Sequence, residues 1–453
     1  MLYRVIIGNY TSFEKPVQFD MFPNMRRENF LNHVYEFPDG IPVLKSCALY
    51  GANGSGKSNF VSALKFIKEF ATDLNLDSNP NRLSSVFKRS RFKLPEMGND
   101  TPMSFLIEFG GKLGVYIYTV ELNDKGIVEE ALYKSGVGKK ENEILFCRHT
   151  AEISFPDGMT TEEIKKVFIR QLKSNPSQSA LAFIGKLHLI DNASILDAYE
   201  WINTQLDIIE VNHQLPWLID QLRHQPDVFE FIKTVFSNIG LGIEDMIVKE
   251  ESFDDWLKYA DMEDKATITK FMDSIPQNAE NKSFTKMNRQ FPLLTVKEED
   301  GKRIVSELLF YQLGKNGFIG ELGCEAQSSG TLRLLTLVPA IYYAIYEGKT
   351  VVIDEIDHSI HSVLIKELIK FFGEAKSNGQ LIFTTHETAL LNQQELLRPD
   401  EVWMIEKSEG ISQMYSLNDF KIHKTLSLEN GYLDGRFGAI PFLGHLNLLK
   451  DES

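Results

Sequence analysis

Along roughly the first 160 residues, apolar positions alternate with polar ones or cluster in short runs. Tyr3 to Ile7, Val43 to Tyr50, Ser104 to Phe109 and Val115 to Leu122 each read as a strand bounded by Gly, Asn or Pro. Gly110-Gly111-Lys112 has hairpin spacing, and Asn123-Asp124-Lys125-Gly126 marks the next turn. From about 161 to 287 the period changes to that of helices, in EEIKKVFIRQL, SILDAYEWINTQL and DVFEFIKTVFSNI, punctuated by Pro176, Pro216, Pro226 and Pro276. Each proline interrupts a helix, which predicts a compact helical module and not a coiled-coil rod. Strand texture returns after 288, in PLLTVKEEDGKRIVSELLFYQL, TVVIDE (350–355) and QLIFTTH (380–386). The expected fold is therefore α/β, with residues 1–160 and 288–453 forming one core and residues 161–287 inserted as a helical domain.

Charge narrows the range of partners. Forty-eight basic and 63 acidic side chains give a formal charge of −15. A field of that sign repels nucleic acid and anionic membranes, so either contact needs a local basic patch. VFKRSRFKLP (86–95) is the one candidate, with Lys88, Arg89, Arg91 and Lys93 interleaved with Phe87 and Phe92. It reads better as a solvated loop anchored by its two phenylalanines, and nucleic-acid binding stays open. Cys47, Cys147 and Cys324 lie far apart and form no metal pair, which suits a reducing compartment. The longest apolar run, Leu334 to Ile345, is well short of the roughly 18 residues a membrane span needs, and the N-terminus reads as a strand and not a leader. A cytoplasmic protein without a membrane partner is expected.

Two short stretches carry chemistry. Gly51-Ala52-Asn53-Gly54-Ser55-Gly56-Lys57-Ser58 fits G-x-x-x-x-G-K-[ST], between an apolar strand and the helix-period run that starts at Asn59. Its glycines let backbone N–H groups turn inward on phosphate oxygens, the helix N-terminus adds partial positive charge, Lys57 reaches the β/γ oxygens, and Ser58 offers a hydroxyl to Mg²⁺. The strand TVVI then delivers Asp354 and Glu355 at its C-terminal end, suited to a Mg²⁺ water ligand and a base for the attacking water. His358 and His361 stand at i, i+3 without further ligands at zinc spacing. His386 closes another strand, where a polar cap and a phosphate contact are equally compatible.

With IIGNYTSF, GANGSGKSN, RFKLPEMGNDTPMSFLIEFGG, IVEEALY, LFCRH, QSSGTLRLL, VVIDEIDHSIH, FTTHET and GYLDGRFGAIP in this order, the chain resembles the ABC-type, SMC-like P-loop ATPases. It resembles more narrowly the ATPases of bacterial abortive-infection and phage-defence loci, of RloA-like, AbiL-type and PARIS AriA-like kind. The resemblance implies an ATPase head closing face to face with a second copy, as a homodimer or higher homo-oligomer, with ATP and Mg²⁺ between the subunits. On that pattern Asn53, Gly54, Ser55, Gly56, Lys57, Ser58 and Asn59 hold the nucleotide, Ser58 and Asp354 the metal, Glu355 is the catalytic base, and His386 senses the γ-phosphate. A separate effector is expected, a toxin or a nuclease such as a TOPRIM-type enzyme, and the acidic chain with its basic segment could recognise an acidic phage protein as trigger.

Two positions depart from the pattern. The position of the interface aspartate that follows the catalytic glutamate is His361 here, and Asp357, closer to Glu355, is not assumed to replace it. The usual Mg²⁺-binding glutamine between the phosphate loop and the helical segment is left unassigned. An SMC or DNA-repair head would carry a long heptad rod, and an ATP-gated nuclease a metal-binding domain after His386, where only 67 residues follow. The loop QSSGTLRLLTL (327–337) has two readings, an ordinary N-cap or an anion site. Across the implied dimer, Ser328 and Gly330 would close over the γ-phosphate on the partner's Lys57.

Overall fold

In the computed structural model, the described residues are 1–36, 41–74, 82–94, 101–276, 282–288, 290–392, 394–423 and 426–440. They form two compact units, Met1–Glu210 with Tyr343–Asp357 and Ile365–Ser453, and Val211–Tyr342 with His358–Leu364.

In the first unit, a six-stranded sheet runs in the order Leu206–Ile209, Thr350–Ile353, Gln380–Thr384, Ser46–Tyr50, Val402–Ser408, Ile411–Ser416. The first five strands are parallel and the last is antiparallel. Ser46–Tyr50, Thr350–Ile353 and Gln380–Thr384 are buried at every position, which explains why they are apolar except for Ser46, Thr350, Gln380 and Thr384 at their ends. A seven-stranded antiparallel sheet has the order Glu152–Ser154, Glu143–His149, Gly126–Lys134, Val115–Asn123, Met103–Gly110, Leu2–Gly8, Val17–Asp20. The helix Lys57–Thr72 contributes Phe60, Leu64, Ile67 and Phe70 to a core that also takes side chains from both sheets. The α/β class expected from the sequence is the one observed, and both chain ends contribute to the parallel sheet.

The buried amide of Gln380 stitches the two sheets together. Its Oε1 accepts from the Leu2 N–H at 2.5 Å and the Thr350 hydroxyl at 3.0 Å, while Nε2 donates to the Leu2 and Leu44 carbonyls at 2.9 Å each. All four contacts lie in the interior, so the amide is kept only because each polar group is matched.

The expected domain limits differ from the observed units. Helices Glu162–Ser174, Ala180–Leu187 and Ala193–Glu200 belong to the first unit, where Phe168, Leu172, Leu181 and Ile195 join its core. Nor is 161–287 purely helical. Leu206–Ile209 is the edge of the parallel sheet, and Ile243–Ser252 and Ser283–Asn288 are strands of the second unit. Short apolar runs such as LDII do not distinguish strand from helix by period. The second unit's sheet has the order Ile243–Ser252, Lys302–Leu313, Phe291–Glu299, Ser283–Asn288, with Ile319–Gly323 also paired to Lys302–Leu313. Phe253, Trp256, Ile268 and Met272 from its helices pack on Leu294, Val296 and Val305 of this sheet.

The basic segment is helical only through Ser90, at the end of the helix Arg82–Ser90, and Arg91 to Leu94 follow outside it; Phe87 and Phe92 are buried as the anchoring reading requires. Pro95 and residues 96–100 of the longer stretch lie outside the described residues, as does Pro441 of GYLDGRFGAIP. Among the described residues, no helix is long and apolar enough to cross a membrane.

The helices that follow the antiparallel sheet are tied to it by a buried polar cluster. Glu130 accepts from Tyr118 Oη, Ser179 Oγ and the N–H groups of Ala180 and Leu181, at 2.8 to 3.1 Å. Arg148, fully buried, pairs with Glu130 and donates to the Thr150, Pro176 and Gln178 carbonyls. Removing one partner of a buried, bonded pair leaves the other charge uncompensated. Arg148→Ala should therefore lower the unfolding free energy by about 3–5 kcal/mol, read as a shifted urea midpoint; an unmoved midpoint would show that the cluster does not hold these helices.

Candidate functional site

Parallel strands end at a common edge, and three of the motifs singled out in the sequence leave it side by side. Ser46–Tyr50 runs into the phosphate loop, Gln380–Thr384 into His386, and Thr350–Ile353 into Asp354 and Glu355. The strand leading to His386 lies between the other two.

The phosphate loop passes into the helix Lys57–Thr72 through Gly56 at φ 119°, with no side chain capping the helix start. Its first N–H groups are thus left for a ligand. A Cβ at position 56 would stand 2.7 Å from Ser412 Oγ and 2.8 Å from Ser12 Oγ, and one at position 51 would stand 2.3 Å from the Ile405 carbonyl oxygen. Ser12 and Ser412, not singled out in the sequence, form the wall behind the loop. Ser412 Oγ donates to the Ser55 carbonyl, Ser412 N–H to the Ser12 carbonyl, and Asn59 Nδ2 to Ser12 Oγ. Asn53, Gly54 and Ser58 are exposed, whereas Ser55 is buried and its hydroxyl has no hydrogen-bond partner among the described residues.

Lys57 is buried, and its ammonium donates to the loop's own carbonyls, Gly51 O at 2.7 Å and Ala52 O at 3.3 Å. His386 Nδ1 is 3.5 Å from it. Desolvation brings the Lys57 pKa down to about 8, against the opposing pull of Glu355, Asp354 and Asp357. Desolvation first, and the Lys57 charge second, hold the His386 imidazole below its ordinary range. The neutral imidazole this favours at neutral pH can donate from one nitrogen and accept at the other.

Asp354 is buried, and its Oδ1 accepts from Thr384 Oγ1 at 2.7 Å. The same hydroxyl accepts the Glu355 N–H at 2.7 Å, and the Ile356 N–H reaches the Thr384 carbonyl at 3.0 Å. Glu355 sits at φ 48°, a left-handed conformation costly for a residue with a Cβ. Thr384 escaped the sequence reading; its one signal was a polar residue at the buried end of an apolar strand. Ser58 and Asp354 offer oxygen donors of the kind Mg²⁺ takes.

Ser328 and Gly330 belong to the second unit. Ser328 Oγ accepts from the Thr331 N–H at 3.1 Å at the start of the helix Ser329–Tyr346, which is the N-cap reading. A Cβ on Gly330 would meet the Ser359 carbonyl oxygen at 2.5 Å, so this glycine is required by close backbone approach. His361 Nδ1 accepts the Val363 N–H at 3.3 Å, at the start of the helix Ser362–Glu374.

The family model described as "AAA domain, putative AbiEii toxin, Type IV TA system" matches residues 47–170 and 223–392, more than half of the chain. The chain belongs to this family. The match takes in the phosphate loop, the Asp354-Glu355 strand end, Ser328, Gly330 and His386, and makes the protein an ATPase-type domain. No curated protein matches it. Similar solved structures include an SMC head bound to the C-terminal winged-helix domain of ScpA (13% identity, 95% of this chain and 99% of that one, TM-score 0.45). Others are the SMC head domain from Thermotoga maritima (12%, 92% and 98%, 0.38) and a Pyrococcus furiosus-derived Smc head with an extended coiled coil, bound to the C-terminal domain of ScpA (13%, 96% and 99%, 0.38).

A side chain at position 56 would face both backbone strain and a steric limit. Gly56→Ala should weaken nucleotide binding about 5- to 150-fold, the equivalent of roughly 1–3 kcal/mol of strain, when titrated with a fluorescent ATP analogue. Unchanged affinity would mean that the loop need not keep this conformation to hold phosphate.

Proposed function

We propose that this protein is an ATP-binding and ATP-hydrolysing regulatory ATPase of a bacterial anti-phage, abortive-infection system. It controls a separate toxin or nuclease effector and responds to a phage protein. The observation that carries the reading is the convergence of the phosphate loop, Asp354-Glu355 and His386 at one sheet edge, joined through Thr384. The family's description, which names a putative toxin of a toxin–antitoxin system, supports a defence setting.

In this reading, Asn53 to Asn59 wrap the phosphates with backbone N–H groups, and Lys57 leaves the loop carbonyls for the β/γ oxygens. Ser58 and Asp354 hold Mg²⁺, which supplies charge neutralisation on the phosphate oxygens when bound. Glu355 accepts the proton of the attacking water, and His386 contacts the γ-phosphate. Ser328 and Gly330 of a second copy complete the site, in a homodimer or higher homo-oligomer.

Glu355→Gln should keep ATP affinity within about threefold and lower turnover by about 100-fold or more, whereas Lys57→Ala should lose binding itself. Equal, wild-type turnover in both would refute the assignment. Ser328→Arg should bind ATP normally as a single subunit but neither associate on ATP addition nor hydrolyse it, with mass measured by light scattering. Wild-type turnover in this variant would remove the shared site while leaving the rest of the reading intact.

A further inference from the structure

The start of the turn that follows Glu355 is fastened to the end of the strand Gln380–Thr384 and to His386 beyond it. Beyond the last paired residues of the two parallel strands, three successive residues each bond across. Glu355 N–H goes to Thr384 Oγ1, Ile356 N–H to the Thr384 carbonyl, and Asp357 Oδ2 accepts the His386 N–H at 3.2 Å. The third contact is the one that touches the histidine. Ile356 is buried at 1% exposure and fixes the middle of the turn, so Asp357 has little freedom to leave.

The other oxygen, Asp357 Oδ1, is buried and has no hydrogen-bond partner among the described residues. A carboxylate kept only to stabilise the fold would be expected to satisfy both oxygens, because leaving one bare and desolvated is unfavourable. The Asp357 charge also acts on Lys57 and on His386, raising the proton affinity of each. It is therefore a third carboxylate of the site, beside Asp354 and Glu355, and lies closer to Glu355 in the chain than the interface position occupied by His361.

We propose that Asp357 is a positioning residue which, by holding the main-chain N–H of His386, sets where the imidazole stands over the phosphate loop. The inference rests on the reading of His386 as the γ-phosphate contact. Through this bond, a shift of the Glu355 turn is carried directly to the histidine, so the base and the phosphate sensor move as one piece. Asp357 touches neither substrate nor metal in this scheme; it acts through His386.

Steady-state ATPase kinetics of the full chain test this with Asp357→Ala, Asp357→Asn, His386→Ala and the Asp357→Ala/His386→Ala double variant, with thermal unfolding as a check on folding. Asp357→Ala should lower kcat about tenfold with KM for ATP within about twofold. Asp357→Asn, which keeps an acceptor oxygen, should recover to within about threefold of wild type, and the double variant should be no slower than His386→Ala alone. A full multiplicative loss in the double variant, or Asn no better than Ala, overturns the positioning role. Wild-type turnover in His386→Ala would instead overturn the functional reading on which it rests.

Discussion

The hydroxyl of Thr384 bonds on two sides, donating to the Asp354 carboxylate and accepting the Glu355 N–H. Parallel strands satisfy one another only as far as they run together, and at their C-terminal edge the next N–H and carbonyl groups lose their partners. Thr384 supplies a substitute at the point where the Thr350–Ile353 and Gln380–Thr384 pair ends. It thereby orients a buried carboxylate that would otherwise be costly to keep there. Because Gln380–Thr384 is flanked on its other side by the phosphate-loop strand, fixing its end fixes the spacing of all three motifs. At the opposite end of the same strand, Gln380 locks it to Leu2 and Leu44, so the strand is pinned by side-chain bonds at both termini.

Positive φ angles gather at this edge, costly at Glu355 and tolerated at position 56 because the residue is glycine. Gly56 is at φ 119° and Glu355 at φ 48°, and the neighbouring structure maintains both: Ser12 and Ser412 around the glycine, Thr384 around the glutamate. A residue with a Cβ persists in the left-handed region only when its surroundings over-determine it, and the bonds of residues 355, 356 and 357 do so. Relaxing the turn would break those bonds in succession, so its conformation is cooperative with that of the His386 turn.

The phosphate loop was legible because its chemistry is local. The glycines, lysine and serine of the motif fall within eight consecutive residues, and backbone geometry imposes the spacing. Glu355 and His386 were legible as strand ends. Thr384, Asp357, Ser12 and Ser412 were not, because each gains its role from a partner on a different strand or turn; Ser412 meets Ser55 across more than 350 residues of chain. The limits of the units were hidden for a related reason. Amphipathic spacing in residues 162–200 shows that these helices bury one face, but not which sheet receives it. The Glu130–Arg148 cluster and the Phe168–Leu172 contacts, which attach them to the first unit, leave no local period to read.

The phosphate loop and the helix start at Ser328 differ in how fully each is satisfied by its own fold. At the helix start, Ser328 caps Thr331 and Gly330 makes room for the Ser359 carbonyl, so both residues are accounted for without a ligand. The phosphate loop is under-satisfied. Lys57 rests on the carbonyls of its own loop, Ser55 Oγ is buried without a partner among the described residues, and the helix that follows starts with no side-chain cap. On the proposed reading, bound phosphate would meet the uncapped N–H groups at that helix start and draw the Lys57 ammonium from its loop carbonyls, whereas Ser328 and Gly330 present no such unmet group. It follows that affinity for nucleotide should reside almost wholly in the phosphate loop. The Ser328 helix would contribute only a rigid, pre-formed surface, the property needed of an element that acts after the nucleotide is already bound.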